Sequence, residues 1–167
     1  KLEASQDEVA SFVELFQDDL TVVCTALDSW DAGKNISYSL VNNTVLKRLN
    51  NVDSFFESKG LDGAGRLLVI LSAFWQYEIS VPYSFLISHS KWNVPLQTVL
   101  ALENNGDIIR RKFDMDDDEI NDHFFPAIHA NAAKLLMTAL ETTGMHKSKY
   151  IDSNWFKGHF ISKIGSA

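Results

Sequence analysis

Glu119 and His123 are the residues whose types and spacing come closest to those of a metal site. They are four residues apart, so on a helix both side chains would lie on one face and could chelate a transition metal. His129 follows six residues after His123, which places it about 240° around the same helix and therefore on a different face. A metal would need further ligands from elsewhere in the fold. Since a single histidine on a helix is more often structural than ligating, we expect no bound metal and no other cofactor.

The sequence contains no arrangement that is typical of a nucleophilic enzyme. It has no Gly-x-Ser-x-Gly motif, and its single cysteine, Cys24, falls inside a predicted helix without a neighbouring histidine. One cysteine also excludes an internal disulfide, which favours a reducing compartment, and we expect the cytoplasm. We assign no catalytic residues and expect a protein without enzymatic activity.

The alternative is an enzyme, or a domain that binds a ligand or a metal, with a pocket between sheet and helices. Polar side chains of the predicted helix over residues 116–143 would line such a pocket. The candidates are Glu119, Asp122, His123 and His129.

The segment after Gly144 combines positive charge with aromatic side chains. Residues 145–167 carry a net charge of +3, whereas the whole chain carries −7, which leaves −10 for the residues before them. A basic and aromatic surface segment could dock an acidic partner, a membrane headgroup layer or nucleic acid. The alternative is packing within the chain, because the aromatic residues recur at helical spacing. The candidate partner-binding residues are Lys147, Lys149, Tyr150, Trp155, Phe156, Lys157, Phe160 and Lys163.

Composition restricts the class of protein. The 167 residues are 46% hydrophobic and 11% aromatic, which is enough apolar side chain to bury a core in a single domain. A net charge of −7 argues against a sequence-independent nucleic-acid-binding protein, because phosphate neutralisation requires clustered lysines and arginines. No stretch reaches the roughly 18 uncharged apolar residues of a membrane span. We expect a soluble acidic domain without a transmembrane segment.

Helical spacing dominates the first part of the chain. Ser5 and Glu8 form a capping box, and the apolar residues that follow predict a long helix over about residues 5–31. A second helix is predicted over residues 43–58. The apolar run over residues 67–75 fits either a buried helix or a buried strand, and its length favours a helix.

A small antiparallel sheet is predicted in the middle of the chain. Over residues 79–87 one set of apolar residues alternates with a more polar set, and Pro82 would place this strand at a sheet edge. Asn105 and Gly106 lie between two apolar stretches, which is typical of a two-residue hairpin turn. The sequence therefore predicts a hairpin over about residues 96–113.

The remaining segments are predicted to be helical. Asp116 and Asp117 suit a helix N-terminus, and the apolar pattern after them predicts a helix over about residues 116–143. A short amphipathic helix is predicted over residues 154–164. Together with a meander over about residues 79–113, the predicted fold class is α+β, with four to five helices packed around the sheet in a single domain.

These features favour a non-catalytic protein-interaction domain, such as an adaptor, a secretion-type chaperone or an immunity-like protein. The predicted edge strand could pair with a strand of a partner, and the basic tail would favour an acidic one. A further alternative is a structural protein that forms a homo-oligomer through its C-terminal segment.

Overall fold

The computed structural model describes Thr25 and residues 37–88, 94–113 and 121–143. These residues form five helices and one three-stranded antiparallel sheet, which confirms the α+β class. The elements are α1 (Tyr38–Glu57), α2 (Ala64–Trp75), β1 (Val81–Pro82), α3 (Tyr83–Ser88), α4 (Leu96–Asn105), β2 (Ile108–Phe113), β3 (Asn121–Pro126) and α5 (Ala130–Thr143).

The first two helices of the described region agree with the predictions. The helix predicted over residues 43–58 is α1, and it begins earlier because Ser37 caps its N-terminus. The Ser37 side chain accepts a hydrogen bond from the N–H of Leu40 at 3.3 Å. The apolar run over residues 67–75 belongs to α2, so the preference for a helix over a strand is confirmed.

Helix α2 is capped by a side chain from α1. Its N-cap residue, Gly63, has a φ of 85° and no side chain that could cap the helix. Asp53 takes that role, since its Oδ1 accepts a hydrogen bond from the N–H of Gly65 at 2.8 Å. Asp53 is only 3% exposed. A carboxylate at this position satisfies a free amide and complements the positive end of the helix dipole, and it joins α1 to α2.

The predicted hairpin over residues 96–113 is wrong, because its first arm is helix α4. Gly106 ends this helix with a φ of 81°, and its N–H donates to the carbonyl of Glu103. The next N–H, that of Asp107, donates to the carbonyl of Leu102. Glycine at positive φ ends helices as readily as it forms hairpin turns, so the Asn-Gly pair fits both structures.

The predicted strand over residues 79–87, and with it the meander over residues 79–113, is also wrong. Only Val81 and Pro82 pair in the sheet, and the chain then forms α3. The alternation placed Leu86 in the more polar set, yet Leu86 is 6% exposed and packs in the core. Because Leu86 lies in a helix and not in a strand, its side chain need not follow the alternation and can point into the core. Pro82 did predict an edge strand correctly, because β1 lies at one edge of the sheet.

The predicted helix over residues 116–143 is wrong over residues 121–129, and residues 116–120 lie outside the described residues. Residues Asn121–Pro126 form β3, the central strand, and α5 begins only at Ala130. Phe124 and Phe125 are both buried because both faces of this strand are covered. The ring of Phe125 stacks on Trp75 with centroids 4.4 Å apart.

Two apolar clusters form the core, and α2 contributes to both. Leu67, Ile70 and Leu71 pack with residues of the sheet, α1, α3 and α4, whereas Val69 packs with α1 and α5. Burial on several sides explains why α2 is apolar around most of its circumference. The predicted helix over residues 154–164 lies outside the described residues, as does the predicted helix over residues 5–31 apart from Thr25, which is helical.

Candidate functional site

The sheet has two outer edges, and the edge on β1 offers little to a further strand. β1 has only two residues, which pair with β3 as Val81 with Phe124 and Pro82 with His123. Proline has no N–H, so it cannot donate a hydrogen bond to an added strand. The β1 edge is therefore short and lacks a donor at Pro82.

The second edge, on β2, has six residues and pairs with β3 on one side. Just before the first pair, the N–H of Ala127 donates to the carbonyl of Asp107 at 2.8 Å. Hydrogen-bonded pairs alternate along an antiparallel ladder, so the register directs the N–H and C=O groups of Ile109 and Arg111 toward β3. The groups that point away from β3 are those of Ile108, Arg110 and Lys112.

We refer to the outward backbone groups of Ile108, Arg110 and Lys112 as the β2 edge. In the part of the chain that the structure describes, no hydrogen bond reaches these groups. An unpaired row of N–H and C=O groups is a template for another strand. The β2 edge can therefore accept an extended segment as a fourth strand of the sheet.

The side chains along β2 give this edge a positive charge. Arg110, Arg111 and Lys112 are consecutive, in a chain whose net charge is −7. Arg111 and Lys112 are exposed, and Ile109 is 44% exposed. The edge therefore combines cations with the accessible apolar side chain of Ile109, which favours a segment that is acidic and partly apolar.

Arg110 joins α4 to the sheet. Its guanidinium bonds to the carboxylate of Glu103 on α4 and to that of Asp122 on β3, the latter at 3.3 Å. The hydrogen bond with Glu103 raises the pKa of Arg110 above its ordinary value, and the attraction of both carboxylates adds to this effect, while partial burial opposes it. Arg110 therefore stays charged and its charge is already matched, whereas the side chains of Arg111 and Lys112 are exposed at the edge.

A cleft of about 230 Å³ lies elsewhere in the fold, between α1, α2, α5 and one end of the sheet. Most of its lining is apolar, including Val45, Leu68 and Leu136. Ser72 of α2 also lines it and is fully buried. Its Oγ has no hydrogen-bond partner among the residues that the structure describes. The cleft is thus an apolar site with one unsatisfied hydroxyl group.

Three of the polar residues predicted for a pocket, Asp122, His123 and His129, do not line this cleft. Asp122 and His123 lie on β3, and His129 precedes α5. The helical spacing assumed for Glu119 and His123 is wrong, because His123 is in a strand; Glu119 lies outside the described residues. His123 Nδ1 instead lies 3.1 Å from the Oγ of Ser80. Over the described ranges, no group of three or more His, Cys, Asp or Glu residues could hold a metal ion.

The candidate partner-binding residues of the C-terminal segment, from Lys147 to Lys163, lie outside the described residues.

The cleft and the β2 edge were not predicted from the sequence. The signal for the cleft was Ser72, a hydroxyl within an otherwise apolar run. The signal for the β2 edge was weaker, since a row of basic residues after a helix does not show which side of a strand is paired.

Comparison with protein-family models, curated proteins and solved structures finds no match to this chain. Among the described helices, none is long and apolar enough to cross a membrane.

Proposed function

We propose that this protein is a protein-interaction domain that binds an extended segment of its partner along the β2 edge. The observation that supports this proposal is the row of outward N–H and C=O groups at Ile108, Arg110 and Lys112, to which no other described residue forms a hydrogen bond. A strand added there would form main-chain hydrogen bonds with these groups, as in other complexes formed by strand addition.

The side chains of β2 indicate the chemistry of the partner. An added strand would place alternate residues on the two faces of the sheet, beside Ile109 and Arg111 on one face and beside Arg110 and Lys112 on the other. Acidic residues would pair with Arg111 and Lys112, and an apolar residue would contact the exposed part of Ile109. The preferred partner segment is therefore extended and acidic, with apolar residues at some positions.

A second copy of this chain fits the edge less well. If two β2 strands paired, the consecutive cations of one copy would lie against those of the other. Like charges opposite each other destabilise a strand pair. Repulsion between the two sets of cations therefore favours a different, acidic protein over self-association.

The C-terminal segment remains a predicted second contact with the partner. Its lysines, from Lys147 to Lys163, have the same sign of charge as the β2 edge. Both regions would therefore favour the same acidic partner.

A titration with two designed peptides tests the proposal. The first is a fluorescent peptide of about eight residues, the length of an ordinary strand, in which pairs of glutamates alternate with pairs of valines so that each face of the added strand carries both. The matched control replaces each glutamate with lysine. We expect the acidic peptide to bind at least about tenfold more tightly in fluorescence anisotropy, with a difference that shrinks as salt is added. Equal affinities, or no binding of the acidic peptide, would contradict the proposal.

A further inference from the structure

We infer that the cleft beside Ser72 is a binding site for a small, neutral and mostly apolar molecule that carries one hydroxyl group. This inference concerns a different surface from the β2 edge and does not depend on the proposed function. Three properties of the cleft support it, namely the unsatisfied hydroxyl, the volume and the charges at its opening.

The hydroxyl of Ser72 is buried and has no hydrogen-bond partner among the described residues, and a ligand would reach it through a small shift of the side chains that cover it. A serine inside a helix usually donates to the carbonyl of the residue four positions earlier, but Ser72 makes no such bond. Because Ser72 is fully buried, bulk water does not replace the missing hydrogen-bond partner of its hydroxyl group. A ligand hydroxyl could accept a hydrogen bond from the Oγ of Ser72 or donate one to it.

The volume of the cleft determines the size of the ligand. An apolar cavity of about 150 Å³ holds one benzene molecule. The present cleft has about 230 Å³, which is enough for a single ring with one or two small substituents. The apolar walls from α1, α2 and α5 favour an aromatic or short aliphatic body.

The charged residues in the lining favour a neutral ligand. Arg48 and Asp107 both line the cleft and have opposite charges. Asp107 already accepts a hydrogen bond from the side chain of Asn105 at 2.7 Å. The exposed residues Gly106 and Ala127 also line the cleft, so it opens where β2 begins and β3 ends. A ligand would enter there and direct its hydroxyl inward to Ser72.

Two probes that differ in one group test this inference. The probes are p-cresol and p-xylene, because they have nearly the same shape and differ only in a hydroxyl and a methyl group. We expect Ser72→Ala to raise the Kd of p-cresol about fivefold and to change that of p-xylene by less than about twofold. Both constants can be obtained from amide shifts in a ¹⁵N NMR titration, in which Ala127 and Ala132 should report binding in the cleft.

A second variant tests whether the probes occupy the cleft. Ala132 on α5 lines the cleft, and Ala132→Leu adds a side chain that fills part of it. This variant should raise the Kd of both probes at least about tenfold. Thermal unfolding should show that the variant keeps the fold. The inference is overturned if neither probe shifts the cleft amides, or if Ser72→Ala leaves the affinity for p-cresol unchanged.

Discussion

Lys112→Pro should weaken binding of the acidic peptide at least about 30-fold. The N–H of Lys112 points away from β3, so proline removes a donor from the β2 edge without removing a bond from the β2–β3 ladder. The partner loses one main-chain hydrogen bond, one of its carbonyls is left without a partner, and the ring hinders its approach. These losses total about 2 kcal/mol, which corresponds to the expected change in Kd.

Lys112→Ala is the matched control for this variant. It removes the same exposed charge but keeps the N–H, so binding should weaken by at most about fivefold, as for other exposed ion pairs. Fluorescence anisotropy measures both variants, and thermal unfolding checks that the sheet remains folded. If alanine and proline weaken binding equally, the lysine acts through its charge alone and strand addition is not the mode of binding.

Asp53→Ala should lower the free energy of unfolding by about 3 kcal/mol. The carboxylate is buried and accepts a hydrogen bond from the N–H of Gly65 at the start of α2. Removing it breaks a charge-assisted hydrogen bond and leaves a buried amide without a partner at the positive end of a helix. Urea unfolding followed by circular dichroism measures the change. Since α2 contributes to both core clusters, the transition should remain a single cooperative step.

Two other variants show whether the position of the carboxylate matters. Asp53→Asn keeps an acceptor at the same place and should lower the free energy of unfolding by about 1 kcal/mol. Asp62 also precedes this helix, but its side chain is exposed. Asp62→Ala should change the free energy of unfolding by less than about 0.5 kcal/mol. If Asp62→Ala lowered the free energy of unfolding more than Asp53→Ala does, Asp53 would not be the residue that caps α2.

The parts of the fold that could be predicted from sequence depend on local patterns. Helices α1 and α2 follow from apolar periodicity and length, and the edge position of β1 follows from Pro82. Gly106 could not be assigned in the same way. A glycine at positive φ ends a helix or forms a hairpin turn, and the difference depends on what the preceding residues pack against.

The candidate sites depend on long-range pairing, which a single sequence does not show. β3 is central because it pairs with both β1 and β2, and Val81 is far in sequence from its partner Phe124. The β2 edge is defined only once that pairing is known. Likewise, Ser72 is an ordinary helical serine until residues of α1 and α5 and the end of β3 form the walls of the cleft around it.

The most direct test of the β2 edge is amide hydrogen exchange in the free protein, measured residue by residue by NMR. The register predicts slow exchange at Ile109 and Arg111, whose N–H groups face β3, and exchange at least about a hundredfold faster at Arg110 and Lys112. Adding saturating acidic peptide should then slow exchange at Arg110 and Lys112 selectively. Equal protection of all four amides in the free protein would show that the edge is already covered and would contradict the proposed function.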